Sequence, residues 1–197
     1  MTPPDGAVSV RVPDAGSQYF TPPWLADRVV SWAGVGPGSR VLVPCAGTGV
    51  FAASASRLGA VATAVELSGR LVDVINSRRA GIDVIQADFI DWEDPRKFDV
   101  AIMHPPAIHN RELHFVRRAF AFTDRVVALC SVKTEFYHGT VRDTLFDCGF
   151  GSIRRRVSIT RKVKFSNATK AVGLERGNMC VYEFVRGTLG SVLTERW

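Results

Sequence analysis

Four stretches of this chain place together residue types that bind ligands or react. In Val41-Leu-Val-Pro-Cys-Ala-Gly-Thr-Gly-Val50, Gly47 and Gly49 follow an apolar run and open a helical pattern. Glycines at a strand-to-helix turn lack Cβ atoms, so the backbone there can approach a ligand closely. Glu66 ends the next apolar run, nineteen residues after Gly47, the spacing at which an acid reaches the hydroxyl pair of a ribose. The plain alternative is a tight turn followed by a surface glutamate, and the strand-turn-helix context favours the ligand. Gly47-Thr-Gly-Val-Phe-Ala52 also satisfies the loose dinucleotide fingerprint, so this stretch alone leaves NAD and other adenosine cofactors open. Next, Ala87-Asp88-Phe89 follows a third apolar run. Asp88 can accept a hydrogen bond from an adenine amino group while the Phe89 ring covers the adenine face; the plain alternatives are a solvated loop acid and a core aromatic. Then His104-Pro105-Pro106-Ala107 closes a fourth run. A neutral imidazole offers one acceptor nitrogen and the Pro105 carbonyl another, enough to hold an amine, or His104 simply caps a strand end. Last, the segment from Ser152 to Lys170 carries Arg154, Arg155, Arg156, Arg161, Lys162, Lys164 and Lys170 with no acid among them. On strands, alternate residues share a face, so these cations make either a phosphate-binding stripe beside Phe165 or a solvated sheet edge.

These residues need elements to position them. Thr21 can cap a helix that Pro22 and Pro23 start and Gly34 stops, with Leu25, Val29 and Trp32 on one face. Val41–Val43, Val61–Val65, Val84–Ile85, Val100–Met103 and Val126–Cys130 read as buried strands. Between them lie a small-residue helix through Leu58, a helix with Leu67, Leu71, Val74 and Ile75 inward, and a helix over Arg111–Phe120; Thr140–Cys148 reads as another. Single helices between strands predict right-handed crossovers and an α/β, doubly wound, mostly parallel sheet. SIRRRVSITRKVKF and MCVYEFVRG read as an antiparallel C-terminal hairpin at the end of that sheet. Residues 1–16, rich in proline and glycine, read as a flexible leader, and 17–197 as a single domain.

With 197 residues, 46% hydrophobic and 22% charged, the chain is suited to one packed domain, not to disorder. No apolar run approaches the roughly 20 residues that span a bilayer, and the N-terminus lacks an export signal, so no membrane partner is expected. Cys45, Cys130, Cys148 and Cys180 form no C-x-x-C pair and read as thiols in a reducing cytoplasm. His109 and His114 have no suitably spaced carboxylate or cysteine, so no metal is expected. The net charge of +6 permits an anionic partner.

Taken in order, QYFTP at 18–22, PCAGTG at 44–49, AVEL at 64–67 with ADF at 87–89, and MHPPA at 103–107 resemble the Rossmann-type S-adenosylmethionine-dependent methyltransferases, and among them the adenine-specific DNA amino-methyltransferases. The resemblance covers about residues 18–130. It implies a class I methyltransferase-like Rossmann fold with S-adenosylmethionine as cofactor. Phe20, Thr21 and Pro22 would contact the methionine end, Pro44, Ala46, Gly47 and Gly49 would pass beneath it, Glu66 would bind the ribose, and Asp88 with Phe89 the adenine. His104, Pro105 and Pro106 would be catalytic, aiming a target amine at the methyl group. The family's motif is Asn or Asp, then Pro-Pro, then an aromatic that stacks on a flipped-out base. Here His104 and Ala107 replace the ends of that motif, and losing one stacking ring weakens base capture by roughly ten- to a hundredfold.

The expected function is therefore methyl transfer to a nucleic-acid base, the exocyclic amine of adenine in DNA first, with Arg154, Arg155, Arg156, Lys162 and Lys164 on phosphates. Specificity would come from loops around 104–115 and 163–178 or from a partner protein. The alternatives are a methyltransferase-like accessory protein that has lost transfer chemistry, and a methyltransferase for RNA, a modified base or a small amine. A nicotinamide dehydrogenase fits least, given His-Pro-Pro at the fourth strand and no room for a substrate domain.

Overall fold

In the computed structural model, residues 19–78, 81–106, 112–136, 151–167, 174–187 and 193–197 are described. The elements are β1 (Tyr19–Phe20), α1 (Pro23–Trp32), β2 (Arg40–Pro44), α2 (Val50–Arg57), β3 (Val61–Glu66), α3 (Gly69–Ser77), β4 (Asp83–Gln86), β5 (Val100–Met103), α4 (Glu112–Ala119), β6 (Arg125–Ser131), a 3-10 turn (Val132–Phe136), β7 (Gly151–Ile159), β8 (Val163–Asn167), β9 (Leu174–Arg176), β10 (Met179–Arg186) and β11 (Leu193–Arg196). The five predicted parallel strands are present as β2 to β6. The Thr140–Cys148 helix and the leader lie outside the described residues.

Eight strands form one sheet in the order β11-β7-β10-β6-β5-β2-β3-β4. Strands β4, β3, β2, β5 and β6 are mutually parallel. Their near-continuous apolar sequences follow from burial on both faces. Period-two alternation deals the side chains to two cores. Val41, Val43, Val127, Leu129 and Val181 pack on one face with Leu25, Val29 and Phe51 of α1 and α2. Leu42, Ala101, Met103, Ala128 and Tyr182 pack on the other with Leu113 and Val116 of α4. Among the described residues, no helix is long and apolar enough to cross a membrane.

The chain runs from β2 to β3 to β4 in one direction, then returns to place β5 on the other side of β2. That reversal opens a crevice beyond the carboxyl ends of β2 and β5, the place where sheets of this kind hold ligands. The glycine loop follows β2 and His104 follows β5, so the topology brings both motifs to one crevice.

The expected antiparallel pair is present at the end of the sheet: β10 lies between β6 and β7, antiparallel to both, with β11 parallel to β7 outside it. Two other expectations are corrected. The run SIRRRVSITRKVKF is two strands, not one, because the chain turns at 160–162; β8 leaves the main sheet and joins β1 and β9 in a small three-stranded sheet. Leu67 is not on the inner face of α3: it lies in the preceding turn, 65% exposed, while Leu71 and Ile75 face the core.

Candidate active site

The glycine loop is built from backbone conformations that ordinary residues avoid. Gly47 and Gly49 have φ of 58° and 77°, and Cys45 is also left-handed at 51°. A Cβ at Gly49 would meet the Ile75 side chain at 2.9 Å, so α3 packs directly on this loop. A Cβ at Gly47 would lie 3.4 Å from the Phe20 ring, which places the first predicted contact segment over the loop. Pro44 ends β2 buried, and Ala46 is held by its N–H donating to the Val65 carbonyl at 3.1 Å.

Glu66 ends β3 with 6% exposure. Its Oε2 accepts from the Gly47 N–H at 2.7 Å and its Oε1 from the Ser68 N–H at 3.0 Å. Each carboxylate oxygen can accept more than one hydrogen bond, so Glu66 both braces the loop and keeps capacity for hydroxyl donors. Burial raises its pKa above the ordinary glutamate value, outweighing the N–H groups of Ser68, Gly47 and Leu67. Burial also pushes the Cys45 thiol far up, and the Glu66 and Asp88 carboxylates add to that rise, so the three groups share one neighbourhood. Asp88 is exposed, with Oδ1 accepting from the Ile90 N–H at 2.9 Å. These residues fit an adenosine cofactor: a loop that admits close approach, a carboxylate for the ribose and an acid at the next strand end. The reading of Phe89 as a ring cover is corrected. Its ring is 3% exposed and packs among Trp92 and Phe122, so it faces the core. The apolar side chains left in water at this rim are Leu67 and Ile90, 65% and 40% exposed, neither of which the sequence reading assigned to a site.

The other side of the crevice centres on His104. Thr21 Oγ1 lies 3.1 Å from His104 Nδ1. Thr21 therefore does not cap α1; Pro22 occupies the cap position with no side-chain bond, and the hydroxyl goes to the imidazole. Phe165 of β8 sits 5.3 Å from the imidazole, centroid to centroid. A small cavity beyond His104 is lined by Tyr19, Pro105, Glu112, Ser131 and Phe165 among others, and Pro106 is half-buried beside it in sequence. Glu112, 2% exposed at the start of α4, had no motif to announce it. Ala107 and His109 lie outside the described residues.

The basic run is also corrected. Glu183 of β10 is fully buried, and the register skips Arg154, so Arg154 and Arg155 together oppose Glu183. Such a bulge turns consecutive side chains toward one partner. Arg154 Nε donates to Glu183 Oε2 at 2.7 Å, Arg155 Nε to the same oxygen at 2.6 Å, and Arg125 Nε to Oε1 at 2.6 Å. Arg155 also donates to the Trp32 carbonyl and stacks on the Trp32 ring. Burial alone would raise the Glu183 pKa, but the bonds from Arg155, Arg125 and Arg154 hold it below the usual value. Arg154 and Arg155 are thus a structural clamp, and Arg156 reaches Thr194 of β11 at 3.4 Å. Lys162 and Lys164 are exposed.

No protein-family model matches the sequence, and no match is found among curated proteins. Solved structures do match. A Pyrococcus horikoshii protein assigned provisionally to the RNA methyltransferases aligns with a TM-score of 0.67 and 25% identity, over 87% of this chain and 88% of that one. The methyltransferase subunit of a type I restriction-modification system from Streptococcus thermophilus aligns at 0.68 with 14% identity, over 93% of this chain and 48% of that one, so this chain spans about half of that subunit. Magnesium protoporphyrin IX methyltransferase from Synechocystis PCC 6803, solved with bound S-adenosylmethionine, aligns at 0.58 with 19% identity, over 84% and 79%. Their names cover unlike acceptors, so the likeness speaks to architecture and leaves the acceptor to the site. The chain has the class I methyltransferase fold.

Proposed function

We propose that this chain is an S-adenosylmethionine-dependent methyltransferase acting on the exocyclic amine of a nucleic-acid base, adenine in DNA first. The observation that carries the reading is the dipeptide Phe20-Thr21, which touches both halves of the crevice: Phe20 lies over Gly47, and Thr21 is bonded to His104. Glu66 takes the ribose hydroxyls, Asp88 the adenine amino group, and the exposed Leu67 and Ile90 meet the adenine faces. The bound sulfonium supplies an already activated methyl group, so the protein has only to hold and orient the acceptor. Imidazole holds an amine only through a lone pair. If Nδ1–H donates to Thr21 Oγ1, the lone pair is on Nε2 and can accept from the amine, with the Pro105 carbonyl as second acceptor. Phe165 provides an aromatic wall beside the imidazole.

An RNA base is the second reading, favoured by the 25% identity to the Pyrococcus protein over nearly its whole length. Sequence choice falls to the loops near 104–115 and 163–178 or to a partner protein. The test is titration with S-adenosylmethionine followed by labelled methyl transfer to DNA, RNA and protein mixtures. Transfer to nucleic acid is expected. Transfer to protein alone overturns the acceptor class, and tight cofactor binding with no transfer to any substrate establishes an accessory role instead.

A further inference from the structure

Trp24 stands in the first turn of α1, three residues after the Thr21 that holds His104, and keeps 41% of its surface in water. A single exposed aromatic is ordinary. What sets Trp24 apart is the Arg161 guanidinium stacked 4.1 Å from its ring centroid. Stacked in this way, a guanidinium spends its face on the ring and keeps its N–H edge for a phosphate. Arg161 lies in the turn before β8, next to the exposed Lys162. Along β8 the residues alternate: Val163 and Phe165 are fully buried, while Lys164 and Ser166 face out, as does Lys162 just before the strand. The strand that lays Phe165 against His104 therefore carries cations on its other face.

Asp27, one turn along α1, is engaged by Arg57 and Ser54. Glu175 is the register partner of Lys164 on β9, so the weight rests on Arg161 and Lys162. We infer that Trp24, Arg161 and Lys162 form a docking platform for an unpaired nucleic-acid strand beside the His104 crevice, with one base stacked on Trp24 and the flanking phosphates on the two cations. A duplex keeps its base faces stacked inside and cannot use the ring; an unpaired strand can. The inference rests on the nucleic-acid reading above.

The test titrates the full chain with oligothymidylate, oligouridylate and a blunt DNA duplex, reading tryptophan fluorescence and anisotropy at several salt concentrations. Single strands should quench fluorescence and bind more tightly than the duplex. Trp24→Ala should weaken single-strand binding about five- to a hundredfold, and Trp24→Phe, which keeps a ring, should weaken it less. Arg161→Ser with Lys162→Ser should flatten the salt slope by about 0.7 for each lost phosphate contact, with cofactor affinity unchanged. Single-strand binding that is unaltered by Trp24→Ala, or a duplex bound more tightly than the single strands, overturns the platform and leaves the nucleic-acid reading standing. A parent protein that binds cofactor but no nucleic acid of any kind overturns both.

Discussion

Glu66 faces opposed demands on pH, one from folding and one from its ligand. Glu66 has a raised pKa in the folded chain, because burial disfavours its charge. A carboxyl raised above its unfolded value contributes stability that is present below the ordinary glutamate range and lost as pH rises through the raised value. A ribose hydroxyl pair, by contrast, donates to the ionised form. The ligand-free protein should therefore lose some stability as pH rises through that window while affinity for S-adenosylmethionine increases, with a proton released on binding; calorimetry in buffers of differing ionisation heat reads both. Affinity that is flat with pH, or unchanged in Glu66→Ala, removes Glu66 from the ribose site. At His104 the tautomer decides which nitrogen can accept. Thr21→Val removes the hydroxyl that can fix Nδ1–H, and a net hydrogen bond contributes about 1 kcal/mol, so methyl transfer should fall on the order of fivefold. His104→Asn should keep transfer, since an amide carbonyl is an acceptor too, whereas His104→Ala should abolish most of it. If His104→Ala transfers methyl groups at the parental rate, the amine is held elsewhere.

At the scale of elements, the parallel strands were legible because Val41–Val43 and Val100–Met103 are apolar without interruption, which only a sheet covered on both faces requires. The basic run was not. Its sequence contains no acid, and its counter-charge, Glu183, sits on β10, inside a run that reads as pure strand; only strand order and the bulge at Arg154 bring them together. Removing one partner of a buried ion cluster leaves an uncompensated charge, at a cost of about 3–5 kcal/mol. Glu183→Ala should accordingly unfold the chain far more readily than Arg154→Ser, because Arg154 is 44% exposed and shares Glu183 with two other arginines. The folded pKa of Glu183 is depressed, so its contribution is present above the ordinary glutamate value and lost as pH falls through the depressed one. Denaturant titrations at pH 7 and at acid pH measure this. Arg154→Ser or Arg155→Ser that altered the salt slope of nucleic-acid binding without lowering stability would reverse the assignment.

Across the whole molecule, the proposed cofactor residues fall within 20–90, while the cavity beside His104 also draws on Phe165 and Met179. Two segments far apart in the chain meet where β1 pairs with β8, Phe20 opposite Ser166 and Tyr19 opposite Asn167. Local patterning could not reveal that pairing. Strand β1 is two residues long, and the turn that frees β8 from β7, at Thr160–Lys162, contains neither glycine nor proline. The pairing has a mechanical consequence. A ligand seated on the glycine loop packs against Phe20, which steadies β1, and β1 shares its hydrogen bonds with β8. Cofactor present at about a hundred times its Kd stabilises the native state by about 2.7 kcal/mol, which for a chain of this size raises Tm by roughly 5–10 °C. Part of that stabilisation should be local and distant in sequence: amide exchange should slow across Val163–Asn167 as well as in the glycine loop, although β8 contributes nothing to the cofactor site itself. The same steadying holds Phe165 against His104, so cofactor binding should tighten acceptor capture, and acceptor should tighten cofactor binding by the same factor. Exchange that slows at 44–49 and 66–90 but not in β8 would show that the small sheet moves independently of the cofactor half.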